Sequence, residues 1–564
     1  MKKISSLLMM ALLAIGMGLT SCDEQLDNAV DPGDNVAVTS LTLDKATLTM
    51  KVGDAAVTLT ATVAPDNATD KTVTWSSNKE DVATVDANGL VTAVAMGTAI
   101  ITAKAGDKSA TCEVTVTPSL STPLTLEVLS EGAGTIVIKS PKVNMKYSKN
   151  GETPTTITST ADVTIDVTKG DKVEFYGNGT NITTYNGTKI AGGTAEVKVY
   201  GNIMSLVDET EFATATTLPG TENFVALFAT NTNLTDASGL LLPAMTLANM
   251  CYESMFALCA NLTTAPKELP AETLANYCYS QMFGGCHKLT SAPKELPAKT
   301  LAMYCYGNMF ESCVSLTTAP KLKATTLANN CCEKMFYGCT SLTIVPALEA
   351  STLADQCCKY MFAGCTSLVA APELKATPLA SSCYQYMFQN CTSLTAAPEL
   401  KAETLANGCY ANMFEGCTSL VAAPELKATS LANSCYRGMF YGCTSLTAAP
   451  ELNAETLKPE CYRYMFYGCT SLVAAPTLPA ETLVESCYSY MFQGCTNLNV
   501  VTCLATHIGA SNCTDNWLDG VAATGTFYKA SSMTYDGTGT KTDTNYPNNA
   551  NGIPGGWNYY NYAP

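Results

Sequence analysis

Cys435-Tyr-Arg-Gly-Met439-Phe440-Tyr-Gly-Cys443-Thr-Ser-Leu446 is one of ten copies of a short motif, the first opening at Cys251 and the last at Cys487. The central methionines stand at 255, 282, 309, 335, 361, 387, 413, 439, 465 and 491, so the spacing is 27, 27 and then 26 seven times. A unit this short cannot bury its own apolar face, so its copies must stack and share one core. Leu431, Cys435 and Met439 recur at i, i+4 and i+8, which predicts one face of a short helix. Thr429 or Ser430 would cap its start and Gly442 would end it. From Cys443 a turn leads into a short strand whose Leu446 points inward. Pro450 lacks an amide donor, so it is expected at or just beyond the end of the stacked ladder. The predicted fold is a solenoid with strands on one side and short helices on the other.

Twenty of the 26 cysteines form pairs eight residues apart within the ten units. Three readings compete for them. Metal binding is opposed by the wide spacing, by the presence of only His287 and His507, and by the lack of a compact Cys-x-x-Cys pair. Disulfides within each unit are compatible with an extracytoplasmic address. Stacked, reduced thiols suit close layers, since cysteine is a small apolar residue with a weak donor. Cys332 and Cys358 stand where other copies carry Tyr, which favours packing as the reason for the residue type.

Tyr follows the first cysteine at 252, 279, 306, 384, 410, 436, 462 and 488, and stacking would align these rings. They are either framework or a binding stripe; Tyr384, Tyr410, Tyr436, Tyr462 and Tyr488 are the candidates for the latter. Cys435, Cys443, Met439, Phe440 and Leu446 are assigned to structure. Glu373, Glu399, Glu425 and Glu451 repeat every 26 residues, with Lys375, Lys401 and Lys427 two positions after the first three. Two positions along a strand is the same face, so opposite charges on neighbouring rungs can offset like-charge repulsion.

The remaining chain divides into modules. Met1-Lys-Lys, an apolar run from Ser6 to Gly18 and Leu19-Thr-Ser-Cys22 read as a signal peptide over 1–21 ending in a lipoprotein processing site, with Cys22 as the lipid anchor. The run is shorter than the roughly 20 residues that span a bilayer. Residues 22–35 are an acidic tether. Residues 36–118 carry short alternating strands around Trp75 and predict a small antiparallel sandwich, with Trp75 and Cys112 in its core. Residues 119–205 read as a small β domain, with clear strands at Val163–Val167, Lys172–Tyr176 and Glu196–Tyr200. The repeats fill 206–501, about 11 units counting a degenerate first copy, and 502–564 form a C-terminal cap. The fold class is therefore multidomain: two β domains followed by the repeat solenoid.

Val73-Thr-Trp75-Ser-Ser77, Val82-Ala-Thr-Val85-Asp86, Gly89-Leu-Val91-Thr-Ala93 and Gly97-Thr-Ala99 resemble, in order, the bacterial Ig-like domains of group 2, which implies a spacer or adhesive module. Met-Phe-x-Gly-Cys-Thr-Ser-Leu resembles the signature of BspA-type leucine-rich repeats, over Leu227 to Val501. The units here are longer than is usual in that family and carry a second cysteine. Leu19-Thr-Ser-Cys22 resembles the bacterial lipobox, and Asp23-Glu24-Gln25 resembles the acidic tag that sends lipoproteins to the outer face of the outer membrane in Bacteroidetes. These resemblances imply a surface lipoprotein that binds host matrix proteins or other bacteria. A glycan-binding lipoprotein of a nutrient-uptake system is the alternative.

Forty-nine acidic against 32 basic residues give a net charge of -17; loss of Lys2 and Lys3 with the leader takes it to -19. Nucleic acid is therefore disfavoured as a partner. No phosphate loop, Gly-x-Ser-x-Gly or distinctive carboxylate pair occurs, so no enzyme and no cofactor are expected. The expected partners are a host matrix or bacterial surface protein or a polysaccharide, and the membrane through the lipid.

Overall fold

The computed structural model describes residues 35–94, 97–117, 119–177, 187–532 and 552–563. The expected signal peptide, the expected lipid anchor Cys22 and the expected tether up to residue 34 lie outside the described residues.

The Ig-like segment has a four-stranded sheet of Thr47–Lys51, Lys108–Thr117, Gly97–Ala105 and Thr74–Ser77, and a three-stranded one of Val57–Thr58, Leu90–Ala93 and Ala83–Val85. Ser40–Leu43 pairs antiparallel with Ala61–Ala64. Alternation of small apolar residues with Thr and Lys fills one face of the Gly97–Ala105 strand, where Ala99, Ile101, Ala103 and Ala105 are buried. Trp75 packs on Leu41, Ala103 and Ala105, and Cys112 is fully buried.

Residues from 119 onward build a continuous core. Six strands run in the order Thr155–Thr156, Lys146–Lys149, Lys172–Tyr176, Leu124–Val128, Val197–Asn202 and Leu234–Leu241. The last of these belongs to the first rung of the repeats and pairs in parallel with Val197–Asn202. The β domain and the repeats therefore share a sheet as well as a hydrophobic core.

Each repeat is one rung of a stack. Phe228, Phe256, Phe283 and their successors to Phe492 lie face to face at 5.3–5.8 Å. The motif methionines, both cysteine files and Leu446 with its equivalents are fully buried beside them. Phe224 stacks on Tyr252 at the start and Trp517 on Tyr488 at the end, so the stack extends into the 502–564 segment. There Val500–Cys503, Gly525–Lys529 and Trp557–Asn561 add parallel strands.

The predicted short helices are absent. Among the described residues the regular helical element is a 3₁₀ turn at Ile203–Leu206. In the motif, Arg437, Met439, Tyr441 and Cys443 donate their amides three residues back, whereas Tyr436, Gly438, Phe440 and Gly442 donate to carbonyls of the next rung at 2.7–3.0 Å. Ser434, Gly438 and Gly442 have φ of 53°, 59° and 69°. The segment is thus a chain of four-residue turns, half of whose amides are satisfied locally and half across rungs. Its period of four mimics the i, i+4, i+8 spacing of a helix, whose true period is 3.6.

The left-handed turn sets the sign of a glycine substitution. A Cβ on Gly442 would meet only Gly416 backbone at 3.9 Å, so space is not limiting. At left-handed φ Gly→Ala costs roughly 1–2 kcal/mol. Gly442→Ala is expected to lower stability in urea unfolding, and an unchanged or raised midpoint would show that the turn does not require a left-handed residue there.

Two equivalents of Pro450 sit otherwise than expected. Ala396 bridges Ala422, and Leu400 bridges Leu426 beyond Pro398 and Pro424, so the ladder resumes after these prolines. At Pro450 itself the bridge between Ala422 and Ala448 lies before the proline. Proline removes one donor and leaves flanking residues free to pair. The proline-free run Val500–Cys503 pairs without interruption.

Candidate functional site

The regular tyrosine file is not a binding stripe. Tyr384, Tyr410, Tyr436, Tyr462 and Tyr488 are 1–3% exposed and form an internal file, with Tyr410 and Tyr436 stacked at 5.9 Å. The same turn directs Cys435 and Tyr436 inward, so these rings belong to the core. Burial pushes their phenols well above the usual value. The file is interrupted at Cys332 and Cys358, where Leu301, Leu322, Leu327, Leu348 and Leu353 close around the thiols and leave a cavity of about 10 Å³.

The second cysteine of each unit has a definite role. Cys443 Sγ donates to the Phe414 carbonyl at 3.1 Å and Cys469 Sγ to that of Phe440 at 3.1 Å, a pattern that recurs from Cys259 to Cys495. The paired cysteines of the ten repeat units are free thiols rather than disulfides. The thiol ties adjacent turns at a carbonyl that also accepts an amide within its own turn, as Phe414 does from Cys417 at 3.1 Å. Cys435, Met439, Phe440 and Leu446, assigned to structure, are all fully buried.

Two faces of the stack remain outward. On the strand face, Ile344, Val369, Val421 and Val473 are 49–60% exposed, with exposed Thr395 and Thr447 between the valines. Beside this row, Lys323, Lys375, Lys401 and Lys427 reach back one rung to Glu295, Glu349, Glu373 and Glu399 at 2.9–3.2 Å. The Lys427 ammonium holds the Glu399 carboxyl below its usual range. These exposed pairs fix the order of the side chains more than they stabilise, since water screens them.

On the turn face, tyrosines of a different class emerge. Tyr360 and Tyr386 stack at 4.5 Å, Tyr464 and Tyr490 at 4.8 Å, and Tyr441 and Tyr467 at 4.5 Å, all half-buried. Burial, with Tyr386 alongside, pushes the Tyr360 phenol up to about 12. Tyr360, Tyr386, Tyr464 and Tyr490 have φ of 56–60°, in the left-handed position that Gly438 and Asn412 fill in other rungs. Both arginines of the chain stand here, on adjacent rungs. Arg463 lies 5.0 Å over the Tyr464 ring and donates to Glu460 at 2.9 Å, while Arg437 lies 3.5 Å from the same carboxylate. Sequence reasoning passed over these residues because they do not recur in every copy.

The repeats match the description "BspA type Leucine rich repeat region" over 249–395, 305–447 and 412–538. The chain belongs to the BspA-type leucine-rich repeat family. Residues 37–116 match the bacterial Ig-like domain of group 2. Both are non-catalytic domain types. The chain is 40% identical over 120 residues to an uncharacterized protein of Clostridium acetobutylicum, covering 21% of this chain and 12% of that one. It is 48% identical over 92 residues to a lacto-N-biosidase of Bifidobacterium bifidum, covering 16% and 8%. To an Ig-like virion protein of Serratia phage KSP90 it is 51% identical over 84 residues, covering 14% and 32%. The chain thus spans from about a twelfth to a third of these relatives, and likeness to the enzyme lies in an Ig-like module.

Proposed function

We propose that this BspA-type chain is a cell-surface lipoprotein, anchored through Cys22, whose repeat solenoid binds a protein ligand through its strand face and so mediates adhesion. The observation that carries the reading is the exposed column of Val369, Val421 and Val473, with Ile344 one position along its rung, all open at 49–60% on the strand face. Exposed apolar side chains on alternate rungs, interleaved with threonine and rimmed by ordered charge, have the composition of an interface centre and its rim. The Ig-like module would act as a spacer.

The test is binding of the full chain to immobilised host matrix proteins and bacterial surface proteins, with Val421→Arg/Val473→Arg as the variant. Both side chains are half exposed, so melting should be unchanged while affinity falls at least about tenfold, the loss of a buried hot spot. Undiminished binding by the double variant would refute the strand-face assignment.

A further inference from the structure

The turn face carries a second feature that owes nothing to the strand face. The file of left-handed positions reads Tyr360, Tyr386, Asn412, Gly438, Tyr464, Tyr490 along successive rungs. The paired rings stop at Tyr386 and begin again at Tyr464, three rung steps of 5.6–5.8 Å apart. One face of Tyr386 is covered by Tyr360 and the other is turned toward the small residues of the gap. On the far side Tyr441 meets Tyr464 edge-on at 6.4 Å. Asn412 and Gly438 form the floor, and the Asn412 amide donates to Glu415 at 2.8 Å.

Stability alone does not account for these rings. Each tyrosine at left-handed φ costs roughly 1–2 kcal/mol, and an aromatic pair returns about 0.5–1.5 kcal/mol. The ladder does little more than offset its own strain, and Gly or Asn would serve the turn without it. Strained, half-exposed aromatics point to function. The choice of arginine points the same way. Thirty of the 32 basic residues are lysine, and a planar fork is what distinguishes arginine for carboxylate recognition. Arg463 is committed to Glu460 and two ring faces. The Arg437 side chain is 44% exposed, and its 3.5 Å contact with Glu460 leaves most of its N–H donors for a ligand.

We infer that the gap over Asn412 and Gly438 is a binding site for an acidic glycan, seating one carboxylate-bearing sugar ring. The C–H face of a pyranose packs on the open face of Tyr386. The sugar carboxylate takes the fork of Arg437. Glu415 and the phenol of Tyr441 accept or donate to its hydroxyls. A peptide carboxylate would use the arginine but would gain little from a gap walled by ring faces, so a glycan is favoured over an acidic protein segment.

The experiment is calorimetric titration of the full chain with galacturonate-, glucuronate-, mannuronate- and sialate-bearing oligosaccharides, each against its carboxyl-reduced counterpart, and with polyglutamate. Two variants accompany it. Gly438→Tyr closes the gap with a residue that four other rungs accept at the same φ; the neighbouring Asn412 amide, 2.4 Å from the added Cβ, must swing aside. Arg437→Lys keeps the charge and removes the fork. At least one acidic oligosaccharide should bind tenfold or more tightly than its neutral counterpart. Gly438→Tyr should abolish that binding in a chain that stays folded, its melting temperature lowered only by the strain of a left-handed side chain, and Arg437→Lys should reduce the acidic-to-neutral preference at least fivefold. Equal binding of acidic and neutral sugars, no sugar binding, or a preference for polyglutamate would each overturn the proposal. So would a folded Gly438→Tyr chain that binds as before. Because Val421 and Val473 lie on the strand face, their arginine variants should leave the sugar titration unchanged, which separates failure of this site from failure of the adhesive one.

Discussion

Phe440→Ala is expected to remove about 3–5 kcal/mol of stability, the usual cost of truncating a buried phenylalanine. Phe440 is fully buried and lies between Phe414 at 5.8 Å and Phe466 at 5.6 Å, so its loss opens both sides of the file. The backbone ties of the rung survive, since Phe440 still donates its amide to Met465 and its carbonyl still accepts from Cys469. A stack in which each rung contacts only its neighbours responds locally. The damaged rung should uncouple the repeats before it from those after it, so that urea unfolding shows an added transition as well as a lower midpoint. Thr447→Ala, on the exposed strand face, is the control and should change stability by less than about 0.5 kcal/mol. A loss under 1 kcal/mol for Phe440→Ala would mean that the phenylalanine file does not hold the rungs together.

The same residues show what the sequence could disclose. A motif returning every 26 or 27 residues dictates stacking whatever the local backbone does, and the Met, Phe, Cys and Leu446 positions are core for that reason. The β strands at Val163–Thr168, Lys172–Tyr176 and Val197–Asn202 were legible from alternation. The turn geometry was hidden because a period of four and a period of 3.6 cannot be separated over eight residues. The glycines at 416, 442, 468 and 494, all at positive φ, end a turn as readily as they end a helix; Gly438, inside the predicted helix and at φ 59°, is the residue that a helix accommodates less well. The misassigned tyrosines teach a related point. Tyr436 and its equivalents recur because a core position must satisfy the rung on either side. The position two residues on varies from Lys334 to Tyr360, Asn412, Gly438 and Tyr464 because solvent imposes no such demand. In a stacked array, irregular outward aromatics are better candidates for recognition than regular ones.

High pH should unfold the repeats cooperatively. Burial pushes the thiols of Cys286, Cys339, Cys391 and Cys443 from the ordinary 9.0 up to about 12. The phenols of Tyr436, Tyr462 and Tyr488 are raised well above 10.0 by the same cause. A raised value in the folded state means that the folded chain holds protons which the unfolded chain releases. The stabilisation is complete below the unfolded value and is lost as pH climbs toward the folded one. The window therefore opens near pH 9 for the thiols and near pH 10 for the phenols, and extends to about 12 for the four thiols. Each group removes roughly 1.4 kcal/mol per pH unit inside its window. Four thiols alone therefore remove about 5 kcal/mol per pH unit, against a total of about 5–15 kcal/mol for a typical folded domain. Circular dichroism under reductant should be flat from pH 6 to 9 and collapse steeply well before pH 12. Replacing Cys391 and Cys443 together by Ala should shift the collapse to higher pH relative to each variant's own neutral stability, because two releasing groups are gone. A stack that keeps its signal through pH 12, or a collapse whose steepness ignores the loss of those thiols, would show that buried proton retention does not govern it.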